Sequence, residues 1–81
     1  MHVLNNEEFK DLTDLGPKES GQVYRVLGNT IQALRLEENG FIPGSPVKMV
    51  QKTPFGDPVI FELRGTQIAL RKDEAKTIIL K

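Results

Sequence analysis

Glycine and proline cut this chain into pieces too short for anything but small elements. Seven glycines and five prolines stand among 81 residues, many of them in three clusters. The clusters are Leu15-Gly16-Pro17-Lys18-Glu19-Ser20-Gly21, Asn39-Gly40-Phe41-Ile42-Pro43-Gly44 and Thr53-Pro54-Phe55-Gly56-Asp57-Pro58. Glycine supplies the positive φ that turns demand, and proline fixes φ while removing a backbone donor, so neither helix nor strand passes through such a cluster.

The pieces between have their own preferences. Gln22 to Leu27 is rich in β-favouring Val23, Tyr24 and Val26 and reads as a strand. Asn29 or Thr30 is placed to cap a helix over 31–38, with Ile31 and Leu34 three apart on one face and Asn39-Gly40 as its stop. Val47 to Lys52, Val59 to Arg64, Gln67 to Arg71 and Thr77 to Leu80 are four more short strands. The second alternates, with Val59, Phe61 and Leu63 on one face against Ile60, Glu62 and Arg64 on the other. Arg64-Gly65-Thr66-Gln67 is a tight hairpin connection, and Lys72 to Lys76 is a single helical turn or a polar loop. Residues 1–14, with Phe9 and Leu12 three apart, form a short helix or an ordered extension before a domain over 15–81. The expected fold is mainly β: a small, partly open barrel of about five strands with one or two short helices.

Composition narrows the function. The chain is a single small domain, of a size that buries only roughly 60–65% of the surface its unfolded form exposes. Basic and acidic side chains number 11 each, unlike the strongly basic footprint of a nucleic-acid binder. With no cysteine and a lone histidine, His2, there is no thiolate site, no triad and no imidazole cage. Apolar runs stop at three residues, far below the 18 or so of a membrane span. Met1-His2-Val3-Leu4 leads straight into Asn5-Asn6-Glu7-Glu8, which is no secretory signal, and the expected location is the cytoplasm. The neutral total hides an asymmetry. Residues 1–40 carry four basic and seven acidic groups, and residues 41–81 carry seven and four. Such a field orients a protein partner more than it adds affinity.

No catalytic constellation or cofactor site emerges, and the chain reads as a non-enzyme. Neither phosphate-cradling glycine spacing occurs. The acidic neighbours Glu37-Glu38 and Asp73-Glu74 point about 100° apart on a helix and do not converge on one metal ion. The candidates for partner binding are Phe41, Pro43, Pro54 and Phe55, because proline-held loops carrying an aromatic lose little entropy on binding. The same residues also serve as ordinary connectors, with either phenylalanine as core. Arg35 is a further candidate, as a finger that stabilises phosphoryl-transfer charge on a nucleotide-hydrolysing partner. Its alternative is a pair with Glu38 or Glu62, its stem laid over the core. Open strand edges also allow two copies to pair weakly.

Taken in order, these segments resemble the FeoA family of the bacterial ferrous-iron uptake system, from about Leu15 to Leu80. The resemblance rests on Gly21-Gln22-Val23, on Arg35-Leu36-Glu37-Glu38-Asn39-Gly40-Phe41-Ile42-Pro43-Gly44, on Pro54-Phe55-Gly56-Asp57-Pro58, and on Ile68-Ala69-Leu70-Arg71-Lys72 with Glu74-Ala75. Asn39 departs from the family's usual apolar residue, the loop after Leu15 is longer than usual, and the first dozen residues are an added extension. The resemblance implies an SH3-like barrel. It also implies a cytoplasmic accessory role toward a large ferrous iron permease with a G domain, by binding it or by regulating its GTP hydrolysis. Similar domains end metal-dependent repressors, but 81 residues leave no room beside the barrel for a helix-turn-helix. A general peptide-binding SH3-like module is the remaining reading. Such grooves are lined with aromatics, and this chain offers only Tyr24 and four phenylalanines.

Overall fold

The computed structural model describes residues 10–81. In chain order these form β1 (Lys10–Asp11), a 3-10 turn (Leu12–Asp14), β2 (Ser20–Val26), α1 (Thr30–Glu38), β3 (Pro46–Lys52) and β4 (Val59–Leu63). β5 (Thr66–Leu70), α2 (Lys72–Ala75) and β6 (Ile78–Leu80) follow. The strands make one antiparallel sheet in the order β1-β6-β2-β3-β4-β5. The expected five strands are present, and β1 is a sixth: two charged residues carry no β pattern, and only pairing of Lys10 with Leu80 reveals them. Of the short helix or extension expected over 1–14, only residues 10–14 are described, and after β1 they hold a single 3-10 turn closed reciprocally by Asp11 and Asp14. Phe9 and His2 lie outside the described residues.

β2 gives the sheet its curl. Its first half pairs with β3, from Ser20↔Lys48 to Gln22↔Pro46, and its second half with β6, from Val23↔Leu80 to Val26↔Ile78. Register shifts at Tyr24 and at Val50 leave one residue of β2 and one of β3 unmatched, and such bulges sharpen the bend of a strand. The concave side collects Val23, Val47, Met49, Val59, Phe61, Leu63, Ile78 and Leu80, all buried. β4 shows the expected alternation, with Val59, Phe61 and Leu63 buried and Ile60 and Glu62 half-buried. The turn after it places Arg64 at φ 54° and Gly65 at φ 85°, the primed geometry whose twist matches a two-residue hairpin.

α1 begins where Asn29 accepts the Gln32 amide at 2.9 Å and ends on Gly40 at φ 111°. The Gly40 amide donates to the Glu37 carbonyl (2.9 Å) and the Phe41 amide to that of Leu36 (3.1 Å), the double bond of a Schellman stop. Leu36 and Phe41, which such a stop brings into apolar contact, are both buried in the core. Burying Leu36 turns the rest of the helix outward. At 100° per residue, Leu34 and Ile31 lie about 160° and 140° from it, and they are exposed at 52% and 75%. The apolar face read from the sequence therefore looks away from the core.

The helix stop tolerates no side chain. A Cβ on Gly40 would lie 2.6 Å from Leu63 Cδ2, and Leu63 is itself buried. Gly40→Ala is expected to lose about 1–3 kcal/mol from combined backbone strain and clash. Urea unfolding measures it, and a loss within about 0.5 kcal/mol of zero would show that the stop is not constrained.

Candidate partner-binding site

The loop after β3 is built to hold an aromatic in water. The Gly56 amide donates to the Thr53 carbonyl at 2.8 Å, closing a four-residue turn with Pro54 at its second position and Phe55 at its third. Proline's fixed φ suits that second position. Across the base, the Thr53 hydroxyl donates to the Pro58 carbonyl at 2.9 Å, and the Asp57–Pro58 peptide is cis. Asp57 Oδ1 then accepts the Lys72 amide at 3.0 Å. That amide opens α2, whose N-cap Arg71 makes no side-chain cap bond, so the loop supplies a cap the helix lacks. The outcome is a pinned turn with Pro54 exposed and Phe55 exposed at 94%.

An apolar cleft of about 330 Å³ opens near the foot of this loop. Its floor is Leu12, Met49 and Phe61, with Leu15 and Val59 as walls, and Lys52, Lys72 and Lys76 stand around it. β3 brings Lys52, α2 brings Lys72, and Lys76 stands one helical turn further on, at the C-cap of α2. No carboxylate stands among its lining residues. The site suits an apolar anchor flanked by acidic groups, because cations around a low-dielectric wall focus the field on an anion.

The other candidates lie elsewhere. Phe41 is wholly buried and offers a partner nothing: the Schellman stop draws it inward. Pro43 is exposed beside the half-exposed Ile42, but it precedes β3 whereas Pro54 follows it. The seven residues of β3 run between the two loops and span about 20 Å, so the loops do not form one lip. Arg35 is exposed and lines a different cleft with Ile31, Ile68 and Glu74. It pairs with neither Glu38 nor Glu62. Arg64 instead reaches back to the buried Ser45, donating to its Oγ at 3.3 Å. Glu74 is also engaged, its Oε1 accepting the Arg71 amide at 2.9 Å. No group of three or more potential metal-ligating side chains occurs among the described residues. The lysine-rimmed cleft was hidden in the sequence; its one local sign is the four-residue spacing of Lys72 and Lys76.

A curled antiparallel sheet of six short strands wrapped on one core, with two short helices, has the form of a small SH3-like barrel. Comparison with known proteins supplies the family: residues 10–81 match the FeoA domain, and the chain belongs to the FeoA family. A Porphyromonas gingivalis protein named as a fusion of Fe(2+) transport protein A and the Fe(2+) transporter FeoB is 30% identical over 67 residues. That match covers 83% of this chain but 8% of the fusion. Stenotrophomonas maltophilia FeoA, solved with zinc, is 36% identical with a TM-score of 0.79, covering 89% of each chain. It is described as an SH3 domain protein and suggested to be a ferrous iron transport activating factor. A manganese-dependent transcriptional repressor shares the fold alone, with 14% identity and a TM-score of 0.78 over 89% of this chain and 40% of its own.

Phe41 and Phe55 should separate cleanly. Phe41→Ala is expected to cost about 3–5 kcal/mol through the cavity it leaves. Phe55→Ala should stay within about 0.5 kcal/mol of the parent. Paired urea titrations check both, and similar losses at the two positions would contradict their placement.

Proposed function

We propose that this protein is a non-catalytic, cytoplasmic accessory of ferrous iron uptake. It binds the cytoplasmic part of a FeoB-type ferrous iron transporter, including its G domain. Family membership supports the iron-uptake role, and the fused relative joins an A-type and a B-type protein in one chain. The single observation that carries the contact is the pinned Pro54-Phe55 turn, with Phe55 exposed at 94% on a loop whose flanking residues Lys52 and Val59 line an apolar cleft that Lys72 and Lys76 also border. A rigid aromatic anchor loses little entropy on docking, and the lysines select an acidic partner surface. Pro43 is a secondary contact at the other end of β3. No helix among the described residues is long and apolar enough to cross a membrane, so on this reading the transporter provides the membrane attachment.

Arg35 supports a second reading, activation of the partner's GTP hydrolysis, because its guanidinium is exposed and makes no ion pair with Glu38 or Glu62. One binding assay addresses both. Titrating the transporter's soluble G domain into the labelled protein should shift amides of Pro54's neighbours, Phe55 and Lys72. Phe55→Ala or Lys72→Glu should weaken binding about tenfold or more, and the Lys72 effect should shrink as salt rises. Shifts confined to other surfaces would refute the contact. GTP turnover measured in the same mixtures decides Arg35: a fall on Arg35→Ala with binding intact marks activation, and unchanged turnover leaves the adaptor role.

A further inference from the structure

Among the described residues the sheet has two edges, β1 and β5, and they differ. β1 presents Lys10 and Asp11, both charged, and charge on an edge deters unwanted pairing. β5, at the other edge, reads Thr66-Gln67-Ile68-Ala69-Leu70, with no charge and no proline. Its free groups follow from the hairpin. Leu63 and Thr66 close the two-residue turn and exchange hydrogen bonds, as do Phe61 with Ile68 and Val59 with Leu70. The amides and carbonyls of Gln67 and Ala69 therefore point away from the sheet, and both residues are exposed. Neither backbone is bonded to a turn, loop or side chain among the described residues.

We propose that this edge pairs with the β5 edge of a second copy of the same chain, antiparallel about a two-fold axis at Ile68. The register is self-complementary. With Ile68 opposite its own copy, Gln67 faces Ala69 of the other chain and Ala69 faces Gln67, so every free group on the edge meets a partner. The cleft beside β5 carries both a cation, Arg35 on α1, and a carboxylate, Glu74 on α2, so two copies of this face do not meet as like charges alone. Ile31, exposed at 75% on the same cleft, gains apolar cover at the join. The chain carries no net charge, so no long-range repulsion opposes self-association. Among the described residues each chain has one such uncharged edge, and pairing edge to edge about a two-fold closes at two. A five-residue edge buries less than a standard interface of roughly 1,600 Å², and the pairing is weak and concentration-dependent.

The test uses the full chain without any partner. Sedimentation equilibrium from about 10 μM to about 1 mM should show the average mass rising from 9.1 kDa toward twice that value. Over the same range the Gln67 and Ala69 amides should shift and gain exchange protection. Ala69→Pro removes an outward donor that β4 does not use, a change edge strands accept; it should remain monomeric with an unchanged far-UV spectrum. If that variant fails to fold, Ala69→Lys defends the edge by charge and should remain monomeric in its place. A constant 9.1 kDa mass with freely exchanging Gln67 and Ala69 amides overturns the proposal. So does a dimer that survives the variants. Protection of these amides only when the transporter's G domain is added also overturns it, assigning the edge to a strand of the partner instead.

Discussion

Everything in this fold follows from β2 having to serve two neighbours. Toward β3 its bonding runs from the Met49 amide donating to the Glu19 carbonyl to the Gly44 amide donating to that of Val23. Toward β6 it runs from the Lys81 amide on the Gln22 carbonyl to the Leu27 amide on that of Thr77. The two ladders overlap only near Gln22 and Val23. A strand bonded at one half to one side and at the other half to the other cannot lie in a flat sheet, and the twist that follows rolls the six strands around one core. The roll stays open because β5 and β1 never meet, and α1 reaches in from one side with Leu36 alone.

That geometry sorts the loops into structural and available ones. The connection from α1 to β3 is consumed by the fold: Gly40 and Phe41 end the helix, Ser45 is buried, and Gly44 and Ser45 bond to β2. The loop from β3 to β4 instead satisfies its backbone internally and spends one carboxylate, Asp57, on α2. Its aromatic is left in solvent. Two glycine- and proline-rich loops of similar composition thus have opposite fates. The difference is whether the phenylalanine follows a helix stop, which points it at the core, or occupies the third position of a turn, which points it out.

Much of this was legible in one dimension. Asn29, Asn39-Gly40 and Pro43 delimit α1 by local backbone chemistry, and the alternation of Val59, Phe61 and Leu63 announces a half-buried strand whatever surrounds it. Arg64-Gly65 could only be a tight turn. Less legible was the fate of the apolar pair Ile31 and Leu34, which share a helix face as their spacing says but stand exposed, because a stripe's periodicity does not say which side meets the core. β1 was invisible, being two polar residues recruited by β6.

The sequence by itself determined where the chain turns, where α1 starts and stops, and that the strands between are short enough for a small barrel. Those features depend on φ preferences, caps and alternation within a few residues. Only the tertiary structure decided that Phe41 is core while Phe55 is surface, and that Lys52 meets Lys72 and Lys76 around one cleft. It also left β5 as an uncharged edge. Each of these depends on which distant segments pair, through contacts such as Asp57 with Lys72 and β2 with β6, and no local preference encodes that choice.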